Sequence, residues 1–511
     1  MSAFVPLPLG QRIPASPHAV SCSLPTMRAV RGYEEKDPAV TSHLTSGYPR
    51  FVVHPYARQL GAQVVATTPS LAGRTLWLTS SDLMARALAA FLAGAEPGQG
   101  GVAEVAQVFA RVGLHGVSHP ESAALSNRAK TFLQNVGGFL SSREAEDQLV
   151  GLGLLAAPHP EETFAGEAAA EVRRHLRRVL PGTTDADLLL ANCGMSAIYA
   201  AFRAVSELQA ARGRTVWLQL GWLYLDTIAI LQKFTATPAD YVYIRDVFDL
   251  EALTRLFAAH GARIAGVIAE VPTNPLIQTP DLPALAALCR RHGARLLVDP
   301  SISSVFDLDV LGHADVVVTS LTKYTASEGD VLAGLAAVNP AGPDAAELRR
   351  RIAAGVEPLY PRDLARLAAQ IGRTEAVLAK IHAGTARVAA FLEKHPAVKD
   401  VFWALTPASR ANYLGLARTA DATGGMITFT LRAQGGLAKF YDRLRLPKGP
   451  SFGMTTTLIC PFMYLAHYDL VTTPAGLAEL AASKLDPDLL RLCVGTEPPG
   501  EIIAALAEAL E

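Results

Sequence analysis

A lysine that directly follows small hydroxyl side chains is the first group in this sequence that could carry out chemistry. An apolar run ends in Ser320, Thr322 and Lys323, and an earlier apolar run, residues 296–299, ends in Asp299. Strands of a covered parallel sheet deliver polar side chains to one edge in this way, so we predict that these groups share a cleft. A lysine there is partly desolvated, which lowers its pKa and frees its amine to form a Schiff base.

These groups match what pyridoxal phosphate (PLP) requires of a protein. The lysine amine would bind the aldehyde of the cofactor, Asp299 would keep a proton on its pyridine nitrogen, and the hydroxyl groups of Ser320 and Thr322 would bind its phosphate. For an isolated S-x-T-K sequence, a surface lysine after a core strand is the better interpretation. The surrounding sequence therefore has to decide between the two.

A glycine turn upstream of the lysine is a second candidate for phosphate binding. It contains Gly194 and Met195, and it lies between a short apolar run at residues 186–191 and a segment with helical periodicity. Such a turn presents free backbone N–H groups at the start of a helix, where they bind phosphate. The turn is weak evidence alone, but its position ahead of the lysine motif strengthens it.

The order and spacing of these pieces resemble the cystathionine gamma-synthase family, the PLP enzymes of cysteine and methionine metabolism. The family pattern V-D, S-x-T-K-Y and D-V-x-A-G occurs here at residues 298–299, 320–324 and 330–334. The resemblance implies a PLP-dependent transferase of fold type I, related to aspartate aminotransferase. We therefore expect an α/β large domain with a mostly parallel sheet and a smaller α+β C-terminal domain.

The resemblance also assigns roles to residues outside the lysine motif. It implies that Tyr224 stacks on the cofactor ring and transfers protons, and that Asn274 donates a hydrogen bond to the phenolic oxygen of the cofactor. In the C-terminal part, Ser451 and Arg491 hold the positions that bind the substrate carboxylate. Lys323 would act as the base that moves protons at the α- and β-carbons.

The N-terminal residues 1–66 resemble the arm of the fungal-type cystathionine gamma-synthases, which carries a Y-P-R-F motif. Here that motif contains Tyr48 and Arg50, and the resemblance implies that Arg50 reaches the cofactor phosphate of a neighbouring subunit. Arg143, in an S-S-R sequence, is an equal candidate for this role. The arm has little apolar periodicity of its own, so we predict a homodimer or homotetramer with shared active sites.

The domain boundaries follow from changes in these patterns. We predict an N-terminal arm with a helical elaboration in residues 1–170, a large PLP-binding domain in 171–378 and a small C-terminal domain in 379–511. His115 and His119 are four residues apart, but a glycine and a proline beside them argue against a helix that presents both to a metal ion. We predict no metal site.

Composition excludes several other classes of protein. The chain has 511 residues, a hydrophobic content of 50% and a formal net charge of -1, which gives no electrostatic reason to bind nucleic acid or an anionic membrane. No apolar stretch is long enough to span a bilayer. The 5 scattered cysteines fit reduced thiols in a cytosol. We predict a cytoplasmic enzyme with small-molecule amino-acid substrates.

The predicted reaction is a γ-replacement in which an O-acylhomoserine loses its acyl group and the thiolate of cysteine takes its place, giving cystathionine. An O-acylhomoserine sulfhydrylase and a cystathionine or methionine γ-lyase are alternatives that use the same residues. A protein that keeps the fold only for binding is a remote alternative, because the lysine, aspartate, asparagine and arginine are all present.

Overall fold

The N-terminal part of the chain forms an arm followed by a small inserted unit. The structure is a computed structural model and describes residues 4–94, 106–111 and 113–511. The arm contains two short paired strands and three helices: β1 (Arg12–Ile13), β2 (Ser21–Cys22), α1 (Met27–Glu34), α2 (Pro38–Thr41) and α3 (Pro55–Ala66). The inserted unit contains three strands and three helices: β3 (Arg74–Thr79), α4 (Asp82–Leu92), β4 (Gln107–Arg111), β5 (Leu114–Pro120), α5 (Ala123–Val136) and α6 (Ser142–Gly151).

The inserted unit is built on a three-stranded antiparallel sheet, whereas the sequence predicted a purely helical elaboration. The strand order is β3-β5-β4, and helices α4 and α5 pack on the sheet through a core that includes Leu88, Val117 and Leu133. Strand β3 reads RTLWLT, in which threonine and tryptophan favour extended backbone. The alanine-rich helices on either side obscured this short signal.

The arm packs on the C-terminal part of its own chain, which contradicts the prediction that it cannot fold onto its own core. Leu24, Met27, Val30 and Tyr33 are buried in one cluster with C-terminal side chains such as Tyr441. The three-residue spacing from Met27 to Tyr33 puts these side chains on one side of α1. This apolar stripe was missed because α1 is only 8 residues long.

The middle of the chain alternates strands with helices. Its elements are α7 (Ala168–Val179), β6 (Leu188–Ala191), α8 (Gly194–Ala210), β7 (Val216–Leu220), α9 (Leu225–Phe234), β8 (Tyr241–Ile244), α10 (Leu250–His260), β9 (Ile264–Glu270), α11 (Leu282–His292), β10 (Arg295–Asp299), β11 (Val316–Ser320), β12 (Gly334–Val338), α12 (Ala345–Gly355) and α13 (Pro361–Ile371).

The strands of this middle part form one seven-stranded sheet that is mostly parallel, as predicted. The order is β6-β12-β11-β10-β9-β7-β8, and among these described strands β12 alone runs antiparallel to its neighbours. Every residue of β9 and β10 is buried because helices cover both faces of the sheet. Leu296 and Val298 enter one core cluster, and Leu297 enters another. The carboxyl ends of β9, β10 and β11 therefore lie side by side.

The C-terminal part is an α+β unit built on a four-stranded antiparallel sheet of order β13-β14-β16-β15. Its elements are α14 (Thr374–Lys394), β13 (Val398–Trp403), α15 (Pro407–Leu416), β14 (Met426–Leu431), α16 (Leu437–Arg443), β15 (Leu458–Pro461), α17 (Phe462–Ala466), α18 (Tyr468–Thr472), α19 (Pro474–Ala482), β16 (Leu490–Cys493) and α20 (Pro499–Leu510). The described residues also form four 3₁₀ helices: Pro69–Leu71, Asp185–Asp187, Pro238–Asp240 and Leu311–His313. Of the helices described, none has the length and apolarity needed to cross a membrane.

Candidate active site

A cavity of about 360 Å³ opens at the carboxyl ends of the central strands, where arm, inserted unit and C-terminal part meet. Most of the site residues that the sequence predicted line this cavity. They are Tyr48, Arg50, Gly194, Met195, Tyr224, Asn274, Asp299, Ser320, Lys323, Ser451 and Arg491.

Lys323 lies at the base of the cavity, 7% exposed, directly after β11. Its Nζ donates a hydrogen bond of 2.7 Å to Ser451 Oγ and lies 4.5 Å from the ring centroid of Tyr48. Burial lowers the pKa of Lys323 well below its usual value, and the positive charges of Arg491 and Arg50 lower it further. The amine is therefore available in its neutral, nucleophilic form.

Asp299 ends β10 and faces the same cavity. Its Oδ1 accepts hydrogen bonds from the backbone N–H of Ser301 at 2.9 Å and from Ser301 Oγ at 2.6 Å. The same hydroxyl oxygen accepts from the backbone N–H of Ser320 at 2.8 Å, which ties the aspartate to the neighbouring strand. Sequence reasoning missed Ser301, although a serine two residues after an aspartate is a signal for this local turn. Burial raises the pKa of Asp299 to about 6.

The phosphate-binding candidates meet where α8 begins beside the end of β11. A Cβ added at Gly194 would lie 3.0 Å from Ser320 Cβ, a contact tight enough that a larger residue would have to shift the start of α8 away from the end of β11. The first backbone N–H groups of α8, including those of Gly194 and Met195, have no partner within the helix. The structure does not bring Thr322 into the cavity, because its hydroxyl bonds the backbone of Ala333 as donor and acceptor, at 3.3 and 3.0 Å.

Tyr224 and Asn274 line the cavity on the side of β7 and β9. Burial raises the pKa of Tyr224 well above its usual value, so its hydroxyl stays protonated. Its backbone N–H donates to Glu270, a buried carboxyl that sequence reasoning did not single out. Asn274 Oδ1 is buried without a hydrogen-bond partner in the part of the chain that the structure describes.

Arg491 stands on β16 and is held by aromatic rings. Its guanidinium lies 5.2 Å from the ring centroid of Phe452 and 4.7 Å from that of Phe462, and its Nη2 donates to the carbonyl of Ser451 at 3.2 Å. Among the described residues no carboxylate pairs with it. A buried cation without a counter-charge at the wall of a cavity is suited to bind the carboxylate of a ligand.

The structure separates the two arginines that competed for the phosphate role. Arg143 does not line the cavity; it is buried in an ionic network in which it pairs with Glu161 at 2.6 Å and with Asp363 at 2.8 Å and donates to the carbonyl of Asp330 at 2.8 Å. The positive charge of Arg143 is therefore already neutralised by these two carboxylates. We therefore keep Arg50 as the phosphate-binding candidate and assign Arg143 to the scaffold.

Arg50 reaches the cavity of its own chain, whereas the sequence predicted that it crosses to a neighbour. Its Nη2 donates to the hydroxyl of Tyr224 at 2.6 Å, and its Nη1 donates to Asp226 at 2.7 Å. The guanidinium carbon lies 5.4 Å from the ring centroids of both Tyr48 and Tyr224. This cis arrangement follows from the packing of the arm on its own chain.

These groups fit PLP. Ser320 and Asn274 line the cavity, and Ser320 Oγ and Asn274 Oδ1 are buried polar atoms without a hydrogen-bond partner among the described residues. The buried aspartate ends β10, and the nucleophilic lysine follows three residues after the end of the neighbouring parallel strand β11. The donor set is that of an aldehyde, a pyridinium nitrogen and a phosphate.

Comparisons with known proteins agree with this donor set. The model of a family described as Cys/Met metabolism PLP-dependent enzymes matches residues 174–511. An L-2-amino-4-chloropent-4-enoate dechlorinase/desaturase of Streptantibioticus cattleyicolor is 41% identical over 98% of this chain and 97% of its own length. A cystathionine gamma-synthase of Neurospora crassa is 26% identical over 99% of this chain and 98% of its own length.

Solved structures share the fold. A cystathionine gamma synthase from Xanthomonas oryzae pv. oryzae in complex with aminoacrylate and cysteine superposes with a TM-score of 0.58 at 22% identity, over 68% of this chain and 86% of that one. A cystathionine gamma-lyase from Lactobacillus plantarum complexed with L-serine gives 0.57 at 20% identity, with the same coverage of 68% and 86%.

Proposed function

The chain belongs to the PLP-dependent enzymes of cysteine and methionine metabolism, and on that premise we propose that it removes a leaving group from the γ-carbon of an α-amino acid. Bound PLP withdraws electrons from the substrate, which acidifies the hydrogens at its α- and then its β-carbon. The remaining steps fall to side chains of this chain.

One observation carries the proposal: Lys323 and Arg491 meet at a single residue. Ser451 accepts from Lys323 Nζ through its hydroxyl and from Arg491 through its carbonyl. Arg491 can therefore hold the carboxylate of an amino acid while its α-carbon lies beside Lys323. The neutral amine of Lys323 then takes a proton at the α-carbon and moves protons at the β-carbon.

Tyr224 is the candidate for the proton at the leaving group. Its hydroxyl is neutral and lines the cavity, and its oxygen already accepts from Arg50. The hydroxyl hydrogen is then free to be donated. A hydrogen bond from a guanidinium also makes the phenol a better acid.

We infer the nature of the leaving group from the dechlorinase/desaturase, which is 41% identical to this chain. The name of that protein places a chlorine on carbon 4 of a 2-amino acid, and carbon 4 is the γ-carbon. In this chain the outer cavity wall contains Phe51, Phe462, Leu465 and Ala466, which suits a small uncharged side chain. We propose a γ-halogenated or similarly substituted α-amino acid as substrate.

A second candidate is the γ-replacement that joins an O-acylhomoserine and cysteine to give cystathionine. Glu34, Lys36 and Lys130 line the same cavity and could bind the ammonium and carboxylate groups of an acceptor amino acid. A sulfhydrylase or a γ-lyase would use the same inner residues. These reactions differ from the first candidate in whether a thiol is incorporated.

A substrate panel tests the proposal. The holoenzyme is given L-2-amino-4-chloropent-4-enoate and acetyl-, succinyl- and phosphohomoserine, each with and without cysteine, and released anions and products are followed by NMR. We expect release of the γ-substituent without a thiol, and no release by Lys323→Ala. Incorporation of cysteine would favour the second candidate. Exchange of the α-proton without loss of any γ-substituent would overturn both.

A further inference from the structure

The end of helix α5 in the inserted unit holds a buried carboxylate behind the cavity. Asp226 is 0% exposed, and three side chains donate to it. Arg50 Nη1 donates to Oδ2 at 2.7 Å, while Gln134 Nε2 and Asn135 Nδ2 donate to Oδ1 at 3.0 and 2.9 Å. Asp226 is therefore oriented from two sides, by the arm and by α5.

Helix α5 also contacts Arg50 directly. The main-chain carbonyl of Gln134 accepts from Arg50 Nη1 at 2.7 Å. The two hydrogens of Arg50 Nη1 are therefore donated to the carbonyl of Gln134, which belongs to α5, and to Asp226, which α5 orients. The other terminal nitrogen donates to Tyr224, which leaves the outer N–H groups of the guanidinium for a ligand.

The orientation of Asn135 is fixed by its other partner. Lys233 Nζ donates to Asn135 Oδ1 at 2.8 Å. Because an ammonium only donates and a carboxylate only accepts, the amide nitrogen of Asn135 must face Asp226. Asn135 is 2% exposed, so water does not compete for these bonds.

We propose that Gln134 and Asn135 are positioning residues that orient Arg50 toward the cofactor phosphate, so that the inserted unit sets the affinity for the phosphate of PLP. This inference rests on the proposed placement of PLP in the cavity. Arginine has a long side chain whose ordering is unfavourable in entropy, and fixing it before binding lowers that cost at binding.

The test measures cofactor binding and not turnover. Dissociation constants of the apoenzyme are determined for PLP and for pyridoxal, which lacks the phosphate. The ratio of the pyridoxal constant to the PLP constant reports how much the phosphate contributes to binding. The variant Gln134→Met/Asn135→Leu keeps the side-chain size and the carbonyl of residue 134. In this variant we expect the ratio to fall by about tenfold or more, as is usual when a residue that orients a ligand-binding group is lost. In Arg50→Ala the ratio should fall by the same factor. Asn127→Leu, an exposed site on the same helix, should leave it unchanged.

Combined variants separate the possible failures. Adding Arg50→Ala to the α5 variant should lower the ratio no further, because both act through one guanidinium. If Arg50→Ala leaves the ratio unchanged, the placement of the phosphate beside Arg50 is wrong. If Arg50→Ala lowers it and the α5 variant does not, the positioning role is wrong. Should the double variant fail to fold, Asn135→Leu alone removes one of the two amide donors to Asp226, leaves that of Gln134 in place and must still lower the ratio.

Discussion

Among the basic side chains that line the cavity, three belong to the proposed site, and each is stabilised differently. Arg50 has a carboxylate partner in Asp226, Lys323 loses its charge through burial, and Arg491 has only aromatic faces and a carbonyl. A buried charge without a counter-ion is costly, so Arg491 favours an anionic ligand group, and a substrate carboxylate would supply the missing charge. Arg50 already has the carboxylate of Asp226, and a phosphate would bind to the N–H groups that Asp226 does not use.

Loss of Arg491 should mainly weaken substrate binding. The arginine would contact the carboxylate in ground and transition states alike, so Arg491→Ala should raise KM more than it lowers kcat. Removing one partner of a buried charged pair costs about 2–5 kcal/mol, which corresponds to about 30-fold or more in KM. Steady-state kinetics with the substrate found in the panel measure this, with the exposed Arg410→Ala as matched control. An unchanged KM with a lowered melting temperature would make Arg491 structural.

The raised pKa of Asp299 predicts a pH dependence of apoenzyme stability. An unfolded aspartate titrates near 3.9, whereas burial raises the pKa of folded Asp299 to about 6. Burial also raises the pKa of the neighbouring Glu270, and repulsion from Asp299 raises it further. The folded state therefore binds more protons between these values, and its stability falls as pH rises through them. The free energy of urea unfolding of wild type relative to Asp299→Asn should fall by roughly 2 kcal/mol from pH 4 to pH 7. A constant difference would contradict the raised pKa.

At the scale of elements, the sequence predicted those parts that are encoded locally. The apolar runs that end in polar residues predicted strands β10 and β11. The family motif predicted that the two strands are parallel neighbours, as they are in the structure. The short stripe of α1 and the single strand signal of β3 were too brief to stand out. Contacts such as that of Gln134 with Asp226, which are 92 residues apart, depend on a three-dimensional arrangement that no periodicity encodes.

The ionic network of Arg143 joins helix α6 to α13 and should contribute stability and not cofactor affinity. Arg143→Met would remove the counter-charge of Asp363 and one of the two cations that pair with Glu161 and with Asp330, which keep Arg362 and Arg366, at a cost of about 3 kcal/mol. Urea unfolding of the apoenzyme measures it. Arg174→Met, which removes a pair between a solvent-exposed arginine and Glu171, should cost far less than Arg143→Met.

The same variant also decides between the two arginines. If Arg143→Met lowered the ratio of pyridoxal to PLP dissociation constants while the unfolding free energy stayed unchanged, Arg143 would be the phosphate ligand. The buried, fully paired guanidinium leads us to expect the opposite result.

At the scale of the whole molecule, distant parts of one chain converge on one cavity. The arm supplies Tyr48 and Arg50, the inserted unit supplies Gln134, the central sheet supplies Lys323 and the C-terminal part supplies Arg491. The family model begins at residue 174, so the arm and the inserted unit lie outside the region that it matches. The N-terminal part therefore adds to the site a cation and the groups that hold it.

This convergence predicts that each active site is complete within one chain. An Arg50→Ala chain and a Lys323→Ala chain, carrying different affinity tags, are co-expressed, and the hybrid oligomer is purified through both tags. Because the buried arm residues Leu24 and Met27 anchor the arm on its own C-terminal core, no site in the hybrid contains both Arg50 and Lys323. At PLP concentrations where Arg50→Ala alone is inactive, the hybrid should be no more active than the sum of its parents. Sedimentation shows whether the predicted homodimer or homotetramer forms. Activity well above that sum would mean that the arm crosses to its neighbour, and would restore the shared site that the sequence predicted.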